Sequence, residues 1–417
     1  MTGYETTDLV AQWVEARRGS LVDLCARLVA APSVNPPGDT RQVAGVVARF
    51  LEAGGLHPQL IALDPNMPCV VAELDSGRPG PHLVLNVHLD TMPPGEEALW
   101  RHPIWKLSAV DGRLYGLGMG NMKGAVAAMA HAVVALNEHR DLWGGRVTFT
   151  AVSDEVAFGP HGSAHLLESI PGLSGDALIC GEGPGYRRLA LGEKGVLWLR
   201  LDVAADGGHA SSVSRGSSAA AVLARAVEAV DQLTGTRGAL HGSLTEVRFA
   251  DTDSALELTA NVGVVSAGTF VSQVASRGHA EVDLRLPPGI TADGAQALVE
   301  DAVARAVPDA DMTVRRIKGW DPNITAPDSA IVRAWQDAWS RLGLGELEYA
   351  IRLPASDASR WRSRGTPAIC FGPQPTYSAG IDDYAEEDEV VRCAALYAAS
   401  ALAYLDGVSP GEAGWSS

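Results

Sequence analysis

Apolar residues recur at helical spacing along residues 9–30 and again along 41–53. The first run stops at Ala31-Pro-Ser-Val-Asn-Pro-Pro37, whose prolines cannot continue a helix. A short apolar stretch over 82–88, closed by Asp90, predicts a buried strand, and the Ala-, Val- and Met-rich run 124–138 predicts a long helix. A strand over 146–152, a helix over 161–169 and a strand over 176–180 follow. Strands separated by helices predict an α/β fold with a mostly parallel sheet flanked by helices on both faces. In such sheets the site lies beyond the carboxyl ends of the strands. His88, Asp90, Asp154, Glu155 and Glu182 all fall at such ends, which groups them without reference to any family.

The middle of the chain has another rhythm. Strands are predicted over 196–204, 261–265 and 279–286, and helices over 217–233 and 292–306. Two strand-helix-strand passages of this size predict a small α+β domain inserted into the first. The α/β pattern then returns, with helices over 328–342 and 387–405 and a strand over 367–371. The expected organisation is 1–194 for the first part of the main domain, 195–310 for the insert and 311–417 for the second part.

Composition narrows the function. With 33 cationic against 50 anionic side chains the net charge is −17, which argues against nucleic acid and anionic membranes as partners. Lysine occurs only at Lys106, Lys123, Lys194 and Lys318, a bias in coding rather than a functional pattern. Five scattered cysteines, with no C-x-x-C, argue against a disulfide framework and for a reducing compartment. The first residues lack a secretion-signal pattern, and no apolar run reaches the ~20 residues needed to cross a bilayer. The expected location is the cytoplasm.

Candidate chemistry sits in short segments. In chain order they are His88-Leu-Asp90, Gly116-Leu-Gly-Met-Gly-Asn-Met-Lys-Gly124, Ser153-Asp-Glu-Val156, Gly181-Glu-Gly183, Gly207-Gly-His209, Arg285 in Ala-Glu-Val-Asp-Leu-Arg-Leu-Pro-Pro, Ala355-Ser-Asp-Ala358 and Phe371-Gly-Pro373. Each alone reads as an ordinary turn or polar surface. Their order and spacing together resemble the M20 family of zinc aminopeptidases, aminoacylases and amino-acid deacylases, over nearly the whole chain. The resemblance implies a zinc-exopeptidase-like α/β domain, an inserted lid and dimerisation domain, two zinc ions, a small substrate bearing a carboxylate, and a homodimer through the lid. It assigns the first ion to His88, position 121 and Glu182. His209 is implied as an oxyanion donor reaching a partner subunit's site, and Arg285 as a carboxylate clamp. Ser356, Asp357 and Asn121 are implied as substrate contacts.

The departures from that pattern shape the expectation. The bridging aspartate is Asn121, a neutral amide that cannot hold two cations. One register puts Glu155 at the general base and Val156 at the second ion's carboxylate; the other makes Asp154 the base and Glu155 the ligand. The last family histidine would fall at Ala379 or Gly380, and no histidine follows His279. The expected cofactor is therefore none, or at most one weakly held divalent metal at His88 and Glu182. Glu155 then acts as acid and base, with Asp90 and Asp154 nearby, and the crowded carboxylates raise one another's pKa values. The expected reaction is hydrolysis of an amide or acyl bond in an N-acyl amino acid or small peptide-like carboxylate, with condensation or elimination as variants. Two other readings stay open: a non-catalytic binding protein, and an ordinary zinc hydrolase with substitute ligands among Asp382, Asp383 and His161.

Overall fold

In a computed structural model, which describes residues 3–375 and 380–407, the chain forms two compact units. The first comprises Met1–Leu191, Thr325–Ala350 and Ser356–Ser417; the second comprises Gly192–Ile324 and Ile351–Ala355. The strand Asp311–Trp320 therefore lies with the inserted unit, because it pairs along its length with Gly195–Ala204.

The sheet of the first unit runs, in spatial order, Gln59–Ile61, Cys69–Asp75, Arg146–Val152, His82–His88, Ala177–Cys180, Ala368–Cys370, Arg188–Glu193. The four strands from Arg146–Val152 to Ala368–Cys370 are mutually parallel, and their outer neighbours are antiparallel. Every residue of His82–His88 is buried, as a parallel strand covered on both faces requires. The helix Gly124–Glu138 is buried from Gly124 to Leu136 on every side, which suits a stretch whose one polar side chain there is His131, and it packs against the helix Glu387–Gly407.

The amphipathic run over 9–30 forms two helices, Gly3–Glu15 and Arg18–Val29. Arg17 leaves the helical region (φ −111°, ψ 13°), and its guanidinium lies 3.9 Å from the Trp13 ring centroid. That stacking, with the Glu138 carboxylate 3.4 Å from Arg17 Nη2, holds the break. Beside the sheet, the Trp335 and Phe371 rings meet in a tilted contact with centroids 4.8 Å apart, and the buried Tyr397 hydroxyl donates to Phe371 O at 2.7 Å. Tyr397→Phe keeps the packing but strands that carbonyl, so it is expected to lower unfolding free energy by about 1–2 kcal/mol in a denaturant titration.

The second unit is a four-stranded antiparallel sheet in the order Thr259–Ala267, Arg277–Leu286, Gly195–Ala204, Asp311–Trp320. Leu197, Leu199, Leu201 and Val203 alternate onto one face and pack with Leu223, Ala226 and Val230 of the helix Ala219–Asp231 and with Val299 and Val303 of Ala292–Ala306. Among the described residues no helix is long and apolar enough to cross a membrane, and the five cysteines are buried with no disulfide between them.

Candidate metal centre and active site

Three adjacent parallel strands deliver the centre. His88 is the last residue of its strand, Glu155 follows Arg146–Val152 by three positions, and Glu182 follows Ala177–Cys180 by two. One ligand atom from each of His88, Glu155 and Glu182 lies within 4.8 Å of the others, and all three side chains are buried. The Nδ1–H of His88 donates to Asp90 O at 2.9 Å, which turns Nε2 toward the two glutamates. That Nε2 is 3.7 Å from Glu155 Oε2 and 3.1 Å from Asn121 Oδ1.

Asp90 does not face the centre as a free acid; it builds the frame. Its carboxylate accepts from Asn35 Nδ2 at 2.9 Å, from Glu155 N at 3.2 Å and from Val156 N at 3.0 Å. Burial opposes its charge, yet the hydrogen bond and charge of His88 and the donors from Asn35 and Val156 hold its pKa below the usual carboxylate value. Asp154 is likewise engaged, with Asn35 Nδ2 at 3.2 Å and His161 Nδ1 at 2.7 Å. Of the neighbouring Asp154 and Glu155, Glu155 thus joins the donor group.

Asn121 sits on the glycine loop before the long helix. Gly118 has φ +87°, and a Cβ there would lie 2.6 Å from Thr91 Cγ2, so both backbone and space call for glycine. Asp383 grips this loop: its carboxylate accepts from Gly118 N at 2.8 Å and Gly120 N at 3.2 Å, and its carbonyl accepts from Gly116 N at 2.9 Å. Asp382 accepts from Arg101 N and His102 N and pairs with Arg101 Nε at 2.6 Å. The candidate substitute ligands Asp382, Asp383 and His161 are each engaged in this way, and none belongs to the metal-competent group found among the described residues. Gly380 is exposed, and Ala379 lies outside the described residues.

The group is electrostatically crowded. Burial and the neighbouring Glu182 raise the Glu155 carboxyl well above its ordinary value. Burial works against the charged form of His88, but Glu155, Asp90 and Glu182 outweigh it and bring its pKa up to about 10. Glu155 Oε1 is buried without a hydrogen-bond partner. An imidazole and two carboxylates, one with an unmet oxygen, match the three protein donors of a catalytic zinc site, so the residues fit one divalent ion. The expectation of no metal, or of an ion resting on His88 and Glu182 alone, finds no support in this group, which also includes Glu155. Asn121 adds only a neutral carbonyl beside it.

Ser356 and Asp357 are buried in the same unit; Ser356 Oγ is 3.5 Å from Cys370 Sγ, and Asp357 Oδ2 is buried without a hydrogen-bond partner. Burial lifts Asp357 to about 6 against the pull of Arg360 and His88, and its charge in turn acts on Glu155. His209 and Arg285 belong to the second unit. His209 is exposed on the two-residue strand Gly208–His209, with Nδ1 2.8 Å from Ser211 Oγ; Arg285 Nη2 pairs with Asp283 Oδ2 at 2.8 Å. Asn35 was not legible as a site residue: its only sequence signal is its place in a proline run, yet its amide joins two buried carboxylates.

The model of peptidase family M20/M25/M40 matches residues 84–403. The succinyl-diaminopimelate desuccinylase of Methylobacterium radiotolerans is 27% identical over 400 residues, covering 92% of this chain and 96% of the relative. Among solved structures, an M20 family metallo-carboxypeptidase from Sulfolobus solfataricus superposes with a TM-score of 0.73 at 17% identity, covering 92% of this chain and 98% of that one. A dinuclear metal-binding M20 peptidase from Bacillus subtilis gives 0.70 at 15% identity, covering 94% and 99%. The chain belongs to the M20/M25/M40 peptidase family. No observation favours the non-catalytic, condensing or eliminating readings, which are not carried forward.

Proposed function

We propose that this chain is a metal-dependent amidohydrolase that cleaves the amide bond of a small N-acylated amino acid or dipeptide-like substrate bearing a carboxylate. The observation that carries this is the buried His88–Glu155–Glu182 donor group at the ends of three parallel strands, in a chain of this family. The likeness to a desuccinylase, whose name describes removal of an acyl group from an amino acid, supports that substrate class.

His88, Glu155 and Glu182 would hold one divalent ion, with Asn121 Oδ1 beside them. When bound, it supplies Lewis-acid polarisation of the scissile carbonyl and of the attacking water. Asp90 fixes both the imidazole and the backbone that carries Glu155. Asp357, lifted to about 6 by burial, takes the proton from water and returns it to the leaving nitrogen. Ser356 and Asn121 line the reacting end of the substrate; the family pattern supports Arg285 as a carboxylate clamp and the partner's His209 as donor to the developing oxyanion. Hydrolysis of a panel of N-acyl amino acids and dipeptides, lost on chelation and restored by zinc, cobalt or manganese, tests the reading; full activity after chelation overturns it.

Because Asp357 must be ionised to accept a proton, kcat/KM is expected to fall as pH drops through a value at or below about 6, the bound cation pulling it lower. Asp357→Asn is expected to lose this limb along with most activity. A homodimer through the second unit is part of the proposal. Its edge strand Thr259–Ala267 exposes Val264 and Val265, and the exposed Phe270 and Val271 follow. Light scattering is expected to give twice the chain mass, and a monomer removes the partner's His209 from the mechanism. The buried cysteines, none in a disulfide, support a reducing, cytoplasmic location.

A further inference from the structure

We infer that His161 is a positioning residue: through Asp154 it locks the turn that presents Glu155 to the metal. The sequence pattern puts His161 at the start of a helix, but the helix begins at Ser163 and His161 folds back instead. Its Nδ1 donates to Asp154 Oδ2 at 2.7 Å, and its backbone N–H donates to the same oxygen at 3.1 Å. The other oxygen of Asp154 accepts from Asn35, whose second amide hydrogen goes to Asp90. Asp90 in turn holds the amides of Glu155 and Val156. His161 thus closes a chain of buried and half-buried hydrogen bonds that ends on the backbone amide of Glu155.

Two backbone features require this lock. Asp154 has φ +61°, in the left-handed region, where its side-chain bonds compensate for an unfavourable local conformation. Gly159 closes the turn by donating to Asp154 O at 3.0 Å, and a Cβ on it would lie 1.8 Å from Asp154 Oδ2. The Asp154 carboxylate therefore fills the middle of the turn, and Arg360 Nη2 fastens the outer side by donating to Gly159 O at 3.0 Å. The His161 side chain is 30% exposed, so substitution there leaves the hydrophobic core intact.

The inference rests on the proposed metal centre, and the experiment separates the two. Cobalt(II) affinity and its visible spectrum are measured for the parent, His161→Leu, His161→Asn and Gly159→Ala, with thermal melting of each. His161→Leu, which lacks the donor, and Gly159→Ala, which displaces the acceptor, are expected to weaken binding about 10- to 100-fold and to alter the spectrum. His161→Asn, whose Nδ2 can replace Nδ1, is expected to stay close to the parent. Parent-like binding in both His161→Leu and Gly159→Ala overturns the inference alone, as does an Asn variant as weak as the Leu variant. Failure of the parent to bind cobalt, or binding indifferent to Glu155→Gln and Glu182→Gln, overturns the metal centre and the inference with it.

Discussion

Glu182→Gln is expected to empty the metal centre and lower kcat/KM by about three orders of magnitude, or ~4 kcal/mol. Glu182 supplies one of three donor atoms lying within 4.8 Å of one another, and a neutral amide neither binds a hard cation comparably nor offsets its charge. The same substitution is expected to have the opposite sign on the stability of the metal-free protein. Burial and then Glu182 raise the Glu155 carboxyl in the folded chain. The native state therefore binds more protons than the unfolded state above the ordinary value of 4.5, and stability falls as pH rises past it. Removing the Glu182 charge lowers the Glu155 pKa and makes that fall shallower. Elemental analysis of the purified variant and thermal melts in chelator at several pH values measure both effects. Parent-like metal content in the variant would remove Glu182 from the centre.

Asn121→Asp is expected to tighten binding of the single ion by about tenfold or more without adding a second. The new carboxylate would stand where Oδ1 already lies, 3.1 Å from His88 Nε2, and would add an anion to a group that now has two. A second ion needs its own donors, and among the described residues His88, Glu155 and Glu182 form the one group of three. Calorimetric titration with zinc measures affinity and stoichiometry together. Two tightly held ions per chain, in parent or variant, would falsify the one-ion centre.

What the sequence reveals of this site depends on the distance over which each residue acts. His88 and Glu182 are legible because a buried strand pattern ends at the first and just before the second, and the ends of parallel strands meet in space. The parallel centre and the inserted sheet follow from the same periodicities. The choice between Asp154 and Glu155 is not settled by the sequence: both are acidic, and although the match at Gly159 and Gly162 favours Glu155 as the base, the other register makes Glu155 a ligand. The fold decides it, because the left-handed Asp154 turns its carboxylate to Asn35 and His161. Asn35 is 55 residues from Asp90 and 119 from Asp154, so no local pattern marks it. The three-donor centre escapes a residue-by-residue comparison, since assigning Glu155 to proton transfer alone leaves one histidine and one carboxylate for the ion.

The grip of Asp383 on Gly118 and Gly120 spans 265 and 263 residues of chain. During synthesis the loop bearing Asn121 is made early, but the acid that shapes it emerges only near the end of translation. The strands that carry His88, Glu155 and Glu182 can pair before then; the amide that stands beside them cannot be set. A ribosome-bound fragment stopping short of residue 383 would carry His88, Glu155 and Glu182 and still lack the finished centre.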